Sequence, residues 1–211
     1  MSIQEIQNNK EAYIALCRQY IKRDGLEKLL DYLEKTDFYV APSSTNYHLN
    51  IAGGLCQHSM NVFHTCMAIY NNCVKPHLGK PTCPFKEEVS EESIALVSLF
   101  HDLCKINLYQ VTEKFKKDES GRWVTYTGYR VDDEFPFGHG EKSCLRLYHY
   151  MELKQEELLA IRWHMGMFDI AEQGSAQRYA FKAALEKSPL VCMLHNADML
   201  ASNCMEVTTE M

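Results

Sequence analysis

A histidine and an aspartate stand side by side, as His101 and Asp102, in the apolar segment ESIALVSLFHDLCKI. Ser90 is a suitable N-cap before it, and the absence of a polar face predicts a buried central helix that contains the whole segment. A carboxylate in such surroundings costs several kcal/mol unless it is paired with a cation or binds a metal ion. Lys105 shares the helical face of Asp102, so a plain Asp102–Lys105 ion pair is the alternative to a metal site.

Four further side chains of the same chemical types follow a regular order around this doublet. His58 lies in a predicted apolar helix, His139 at a loop-to-helix junction, His164 at a helix end, and Asp198 in an otherwise apolar last helix. Each alone could be structural, as a core histidine, a helix cap or a hydrogen-bonded carboxylate. Together, imidazoles and carboxylates are ligands for divalent transition metals such as Mn, Fe, Co, Ni or Zn, and six of them could hold one or two ions.

The order His … His-Asp … His … His … Asp resembles the HD-domain superfamily of metal-dependent phosphohydrolases. The resemblance covers roughly residues 50–204, and its most specific pieces are LFHDLCKI and Asp198 in NADML. It implies an all-α helical bundle. It also implies that a first metal is held by His58, His101, Asp102 and Asp198. A second metal would be held by His139 and His164 beside a bridging Asp102.

The resemblance further implies an activity. We expect a metal-dependent phosphomonoesterase or phosphodiesterase that acts on a small phosphorylated substrate such as a nucleotide. Asp102 and Lys105 are the expected catalytic residues, with Lys105 on the substrate phosphate and Arg130 or Arg162 as further candidates for neutralising phosphate charge. Trp163 stands where the cyclic-dinucleotide branch has a second histidine, and Gly54 where it has an acidic residue, which argues against that substrate.

Two other functions have the same ligand order. One is a di-iron oxygenase of the myo-inositol oxygenase type, and the other is a catalytically silent HD ligand sensor. The ligand types do not separate these from a hydrolase, because the side chains are the same.

Composition and charge limit the partners. The 211 residues carry a formal net charge of −6 and no long basic run, so duplex nucleic acid is not an expected partner. No segment of 18 apolar residues and no N-terminal apolar stretch occurs, so neither a membrane partner nor a secretory signal is expected. The nine cysteines form no Cys-x-x-Cys pair, which favours free thiols in a reducing cytoplasm. A zinc site at Cys73, His77 and Cys83 is an alternative to a Pro-rich surface loop there.

The hydrophobic pattern predicts one domain, with N-terminal helices over residues 3–36 packed on a metal-binding core. Helices are predicted over residues 6–23, 26–35, 55–71, 141–150, 155–164, 176–187 and 190–204, besides the central one. Residues 109–131 are rich in β-branched and aromatic side chains and predict one small inserted β-hairpin, in which Tyr126, Tyr129 and Arg130 could contact substrate. His195 is a candidate to support the metal ligands. Surface or packing roles are expected for His48, His64, His77 and His149.

Overall fold

Helices make up most of the chain. The computed structural model describes residues 1–170 and 176–206, and 57% of these residues are helical. Eight α-helices lie in the described residues: α1 (Ile3–Tyr20), α2 (Leu26–Leu33), α3 (Gly54–Ile69), α4 (Glu91–Phe100), α5 (His139–Tyr148), α6 (Gln155–Arg162), α7 (Ala176–Lys187) and α8 (Pro189–Leu200). The expected mainly helical architecture with one hairpin is confirmed. Within those residues, no helix has the length and apolar character needed to cross a bilayer.

Helix α4 is the centre of the core, as its apolar sequence predicts. Every residue from Ser93 to Phe100 is buried, and the helix packs against α1, α3, α6 and α8. Its N-terminus is capped by Ser90, whose Oγ accepts a hydrogen bond from the Ser93 N–H at 3.1 Å. The Tyr13 hydroxyl of α1 donates to the carbonyl of Leu99 at 2.8 Å, which ties the N-terminal helices to this core.

The prediction that α4 continues through the His-Asp doublet is wrong. The helix ends at Phe100, Asp102 has φ −103° and ψ 21°, and a 3₁₀ turn follows over Leu103–Lys105. Successive side chains of an α-helix point about 100° apart. Leaving the helix at this point lets both side chains face one cavity, with His101 Nε2 3.4 Å from Asp102 Oδ2.

Two other helices end in wider turns. A π-helical turn over Tyr70–Val74 follows α3, and another over Ala201–Met205 follows α8. The last predicted helix is therefore α-helical only to Leu200. The second turn closes with a hydrogen bond from the Glu206 N–H to the Ala201 carbonyl at 3.1 Å, which returns the chain toward α3.

The predicted hairpin forms from β1 (Tyr109–Lys117) and β2 (Trp123–Val131), which pair antiparallel from Tyr109 opposite Val131 to Lys117 opposite Trp123. Its outer part is exposed, whereas its base contacts the segment before α3. The Tyr109 hydroxyl donates to the Ser43 carbonyl at 3.3 Å, and Lys114 Nζ donates to Asn46 Oδ1 at 2.6 Å. The hairpin is therefore anchored near α3 by Tyr109 at its base and by Lys114 in the middle of β1.

One buried ion pair joins the N-terminal helices to α6. Glu157 is fully buried, and its two oxygens accept hydrogen bonds from Arg23 at 2.6 and 2.7 Å. Ser93 Oγ donates to the same carboxylate at 2.6 Å. Burial raises the pKa of Glu157, but the hydrogen bonds from Arg23 and Ser93 lower it more, so the net shift is downward.

We predict that Glu157→Gln lowers the free energy of unfolding by about 3 kcal/mol at pH 7, because Arg23 loses its buried partner. The depressed pKa makes the contribution complete above the ordinary glutamate pKa of about 4.3 and lost as pH falls through the lower folded value. Urea unfolding should therefore show wild type and variant converging at acidic pH. Glu27→Gln is the control, since its bidentate pair with Arg18 is exposed. It should change stability by less than about 1 kcal/mol. Equal losses for the two variants would contradict the assignment.

Candidate metal centre

Six side chains of the types that bind transition metals meet in the middle of the helical core. They come from five different elements, and four of them are almost fully buried. They are His58 in α3, His101 and Asp102 after α4, His139 at the start of α5, His164 two residues beyond α6, and Asp198 in α8. The six candidate ligands that the sequence singled out are therefore brought together in space.

The first group surrounds the Nε2 atom of His58. That nitrogen lies 3.2 Å from Asp198 Oδ1, 3.3 Å from His101 Nε2 and 3.6 Å from Asp102 Oδ2. One ligand atom each from His58, His101 and Asp198 lies within 4.8 Å of the others. This is a spacing at which one ion could contact all of them.

The second group surrounds the other carboxylate oxygen of Asp102. Its Oδ1 lies 2.9 Å from His139 Nε2 and 3.6 Å from His164 Nε2. The two oxygens of this single aspartate thus face two different sets of imidazoles. Such an arrangement suits a carboxylate that lies between two metal positions.

The orientation of the rings fits a metal ion. His101 Nδ1 lies 2.8 Å from the Ser98 carbonyl and His164 Nδ1 lies 2.7 Å from the Ile161 carbonyl, so the proton of each neutral ring belongs on Nδ1. The Nε2 lone pairs then point inward. Buried His164 Nε2 has no hydrogen-bond partner in the described part of the chain. A buried acceptor without a donor is satisfied by a cation, so the position of His164 Nε2 fits a divalent ion.

The electrostatics favour ionised carboxylates here. Burial raises the pKa of Asp102, but the charge of Lys105 and contacts with His101 and His139 bring it well below its usual range. Asp198 is lowered in pKa in the same way, against its burial, by the hydrogen bond from His58. Burial lowers the pKa of His58, but hydrogen bonds to Asp198 and Glu206 raise it to about 9. The ionised carboxylate is the form that binds metals.

Lys105 forms the ion pair that the sequence left as an alternative. Its Nζ lies 2.7 Å from Asp102 Oδ2, and the side chain is 11% exposed. Burial lowers the pKa of Lys105, but the charge of Asp102 raises it further, so the net shift is upward. The pair leaves Asp102 Oδ1 facing His139 and His164. The ion pair and a metal site are therefore compatible.

A pocket of about 370 Å³ opens onto this centre. Residues of the segment 43–48 before α3 line it, together with Met165, Phe168 and Met199. The candidate metal centre contributes Asp102, Lys105, His139, His164 and Asp198 to the lining. The cluster is thus reachable from outside.

Three side chains near the centre were not among the predicted site residues. The ring of His48 lies 4.9 Å from that of His58, and His48 lines the pocket. Cys104 Sγ lies 3.4 Å from the nitrogens of His139, and Glu206 Oε2 lies 2.9 Å from His58 Nδ1. Proximity to the doublet was the one signal for Cys104. Glu206 had none, because a π-helical turn places it.

Of three further residues that the sequence singled out, one lines the pocket and two do not. His195 Nδ1 lies 2.6 Å from the main-chain carbonyl of His164, and His195 lines the pocket. Arg130 and Arg162 are not among the residues that line it: Arg162 pairs with Glu141 and Asp169, and Arg130 lies beside Asp132.

The hairpin contributes less than expected. Tyr126 and Tyr129 do not line the described pocket, whereas Tyr109 and Val131 at its base do. Within residues 1–170 and 176–206, Cys73, His77 and Cys83 form no metal-binding group, and Cys73 and His77 are exposed. The surface-loop interpretation therefore fits that segment better.

Comparison of the chain with protein-family models, curated proteins and solved structures gave no significant match. The interpretation of this centre therefore depends on its own geometry. That geometry shows buried histidine, aspartate and cysteine side chains that could hold a metal ion.

Proposed function

We propose that the protein is a metal-dependent phosphohydrolase with an HD-type helical bundle. The proposal is supported by the order of the six side chains along the chain and by their convergence from five helical elements. His58, His101, Asp102 and Asp198 would hold a first ion, and His139, His164 and Asp102 a second.

One observation carries the proposal: Asp102 lies between two groups of imidazoles and is also paired with a lysine that faces the pocket. Oδ1 faces His139, and Oδ2 faces His101 and Lys105. A site for metal storage alone has no need of a buried ammonium beside the metal ligands. A site for phosphate esters does, because charge develops on the phosphoryl oxygens during transfer.

A divalent ion supplies a Lewis acid that polarises a phosphoryl oxygen and acidifies water. The chain's own contribution is to fix the imidazoles through the Ser98 and Ile161 carbonyls and to keep Asp102 ionised. Lys105 remains positively charged at neutral pH because Asp102 holds its pKa above the ordinary range. Its ammonium would bind and neutralise an equatorial phosphoryl oxygen.

The pocket supports a small substrate. Its volume of about 370 Å³ is near the lower end for small-molecule sites. Exposed Tyr47 and Phe168 at its walls could cover a planar or apolar group, while Thr45 offers a hydroxyl. A phosphate monoester or diester with one modest organic group, such as a nucleotide, fits these features.

We predict that Asp102→Ala weakens metal binding by more than about 100-fold, since even the loss of a residue that supports a ligand costs 10- to 100-fold. The fold should persist, because the substitution removes a buried charge as well as a ligand. Elemental analysis after dialysis against limiting metal measures the effect. Asp118→Ala, in the exposed hairpin turn, is the matched control. Full metal occupancy in Asp102→Ala would contradict the assignment.

We predict hydrolysis of small phosphate esters that depends on added Mn, Co, Ni or Mg. Lys105→Met should lower kcat by roughly 100- to 1,000-fold, the usual effect of removing one group that stabilises transition-state charge. Metal occupancy should change far less. Steady-state assays on nucleotides and sugar phosphates, with metal analysis of the same samples, test this. Lys116→Met, at an exposed position of β1 that does not line the pocket, is the control. Equal rates for Lys105→Met and wild type would leave the lysine only a structural role.

We predict two metal ions per chain in the wild type at saturation and one in the His139→Ala/His164→Ala double variant. The reason is that these two histidines face Asp102 Oδ1 rather than the group around His58. Metal titration and anomalous diffraction give the stoichiometry. One ion in both proteins would reduce the site to a mononuclear one. Two irons with a mixed-valence paramagnetic signal would instead favour the oxygenase, for which the same six side chains are suited.

A further inference from the structure

The outer nitrogen of His58 faces a buried carboxylate. Glu206 Oε2 lies 2.9 Å from His58 Nδ1, and the glutamate is only 5% exposed. The other ring nitrogen, Nε2, faces Asp102 and Asp198 on the opposite side. His58 thus lies between an outer carboxylate and the candidate metal centre.

The carboxylate is held in place by a second contact. Asn61 Nδ2 donates to Glu206 Oε1 at 2.8 Å. Asn61 lies three residues after His58 in α3, so both side chains occupy the same face of that helix. The two oxygens of Glu206 therefore contact two neighbouring residues of α3, and the orientation of the carboxylate is fixed.

This arrangement distinguishes His58 from the other three histidines of the candidate metal centre. The outer nitrogens of His101 and His164 face main-chain carbonyls, and His139 lies against the Cys104 thiol. In the described residues, His58 is the one member of the four whose outer nitrogen contacts a carboxylate. A negatively charged acceptor makes the ring a stronger donor of its inner lone pair than a neutral carbonyl does.

The distance shows how Glu206 acts. At 2.9 Å, the carboxylate oxygen and Nδ1 are in direct hydrogen-bond contact. His58 Nε2, on the other side of the ring, faces Asp102 and Asp198. Glu206 therefore acts on the centre through the His58 ring.

We propose that Glu206 is the positioning residue that fixes the protonated Nδ1 of His58 and thereby directs its Nε2 to the first metal. The role rests on the metal centre of the proposed function. The residue that follows the π-helical turn Ala201–Met205 thereby becomes part of the site, although Glu206 does not line the substrate pocket.

Zinc titration of the purified full-length protein tests the role. Glu206→Gln keeps the shape of the side chain and removes its charge, so the zinc affinity should fall by about 10- to 100-fold. Asn61→Ala keeps the charge of Glu206 but removes the hydrogen bond that orients its carboxylate. The loss of zinc affinity should therefore be smaller. Glu157→Gln is the matched control, because it makes the same buried change in a carboxylate far from His58. It should lower stability without changing zinc affinity.

A second readout follows the proton itself. In ¹H–¹⁵N spectra of the zinc-loaded wild type, the His58 Nδ1–H should resonate far downfield and exchange slowly, as expected for a hydrogen bond to a carboxylate. In Glu206→Gln this signal should move upfield or be lost, while the Nδ1–H signals of His101 and His164 stay in place. A purely structural role for Glu206 would not single out one ring. If Glu206→Gln fails to fold, Asn61→Ala carries the same comparison.

The outcomes separate this inference from the proposed function. Unchanged zinc affinity and an unchanged His58 signal in Glu206→Gln would overturn the positioning role. A wild type that binds zinc but hydrolyses no phosphate ester would contradict the proposed function while the effect of Glu206→Gln still supported the role. A wild type that binds no zinc would overturn both.

Discussion

The rest of the centre is arranged around a single buried carboxylate, that of Asp102, whose charge must be stabilised. Its side chain is 2% exposed, and an ionised carboxylate at such a depth is stable only with charges and donors around it. Lys105 supplies one full charge at 2.7 Å, and the imidazoles approach both oxygens. The end of the central helix at Phe100 lets the aspartate and its neighbouring histidine face the same cavity.

The groups around this cluster fix the orientation of its imidazole rings. Carbonyls at Ser98 and Ile161 fix two rings, and the Glu206 carboxylate faces a third. Fixed rings lose little freedom when an ion binds, which favours tight binding. Because buried His164 Nε2 lacks a partner in the described residues, a bound cation would also stabilise the fold.

Access to the centre depends on elements outside the helical core. The segment 43–49 crosses over it, and a hydrogen bond from the Ser43 N–H to the Leu49 carbonyl closes the segment at 3.0 Å. Leu49 has φ 42°, a left-handed conformation that is uncommon for a leucine. Gly54, at the start of α3, lies so close that a Cβ there would come within 2.1 Å of the Leu49 carbonyl oxygen. This close packing holds His48 beside His58 and defines one wall of the pocket.

The sequence alone determined the helical character, the hairpin and the six candidate ligands, because each depends on local pattern. His58, His101, Asp102 and Asp198 stand out as polar side chains in apolar helices, where burial without a partner is costly. The end of α4, the place of His48 and the contact between Glu206 and His58 were decided by the tertiary structure. They depend on which residues lie together after the chain folds: 148 positions separate Glu206 from His58. No local periodicity encodes that approach, because it results from the packing of α8 against α3 and the π-helical turn that follows it.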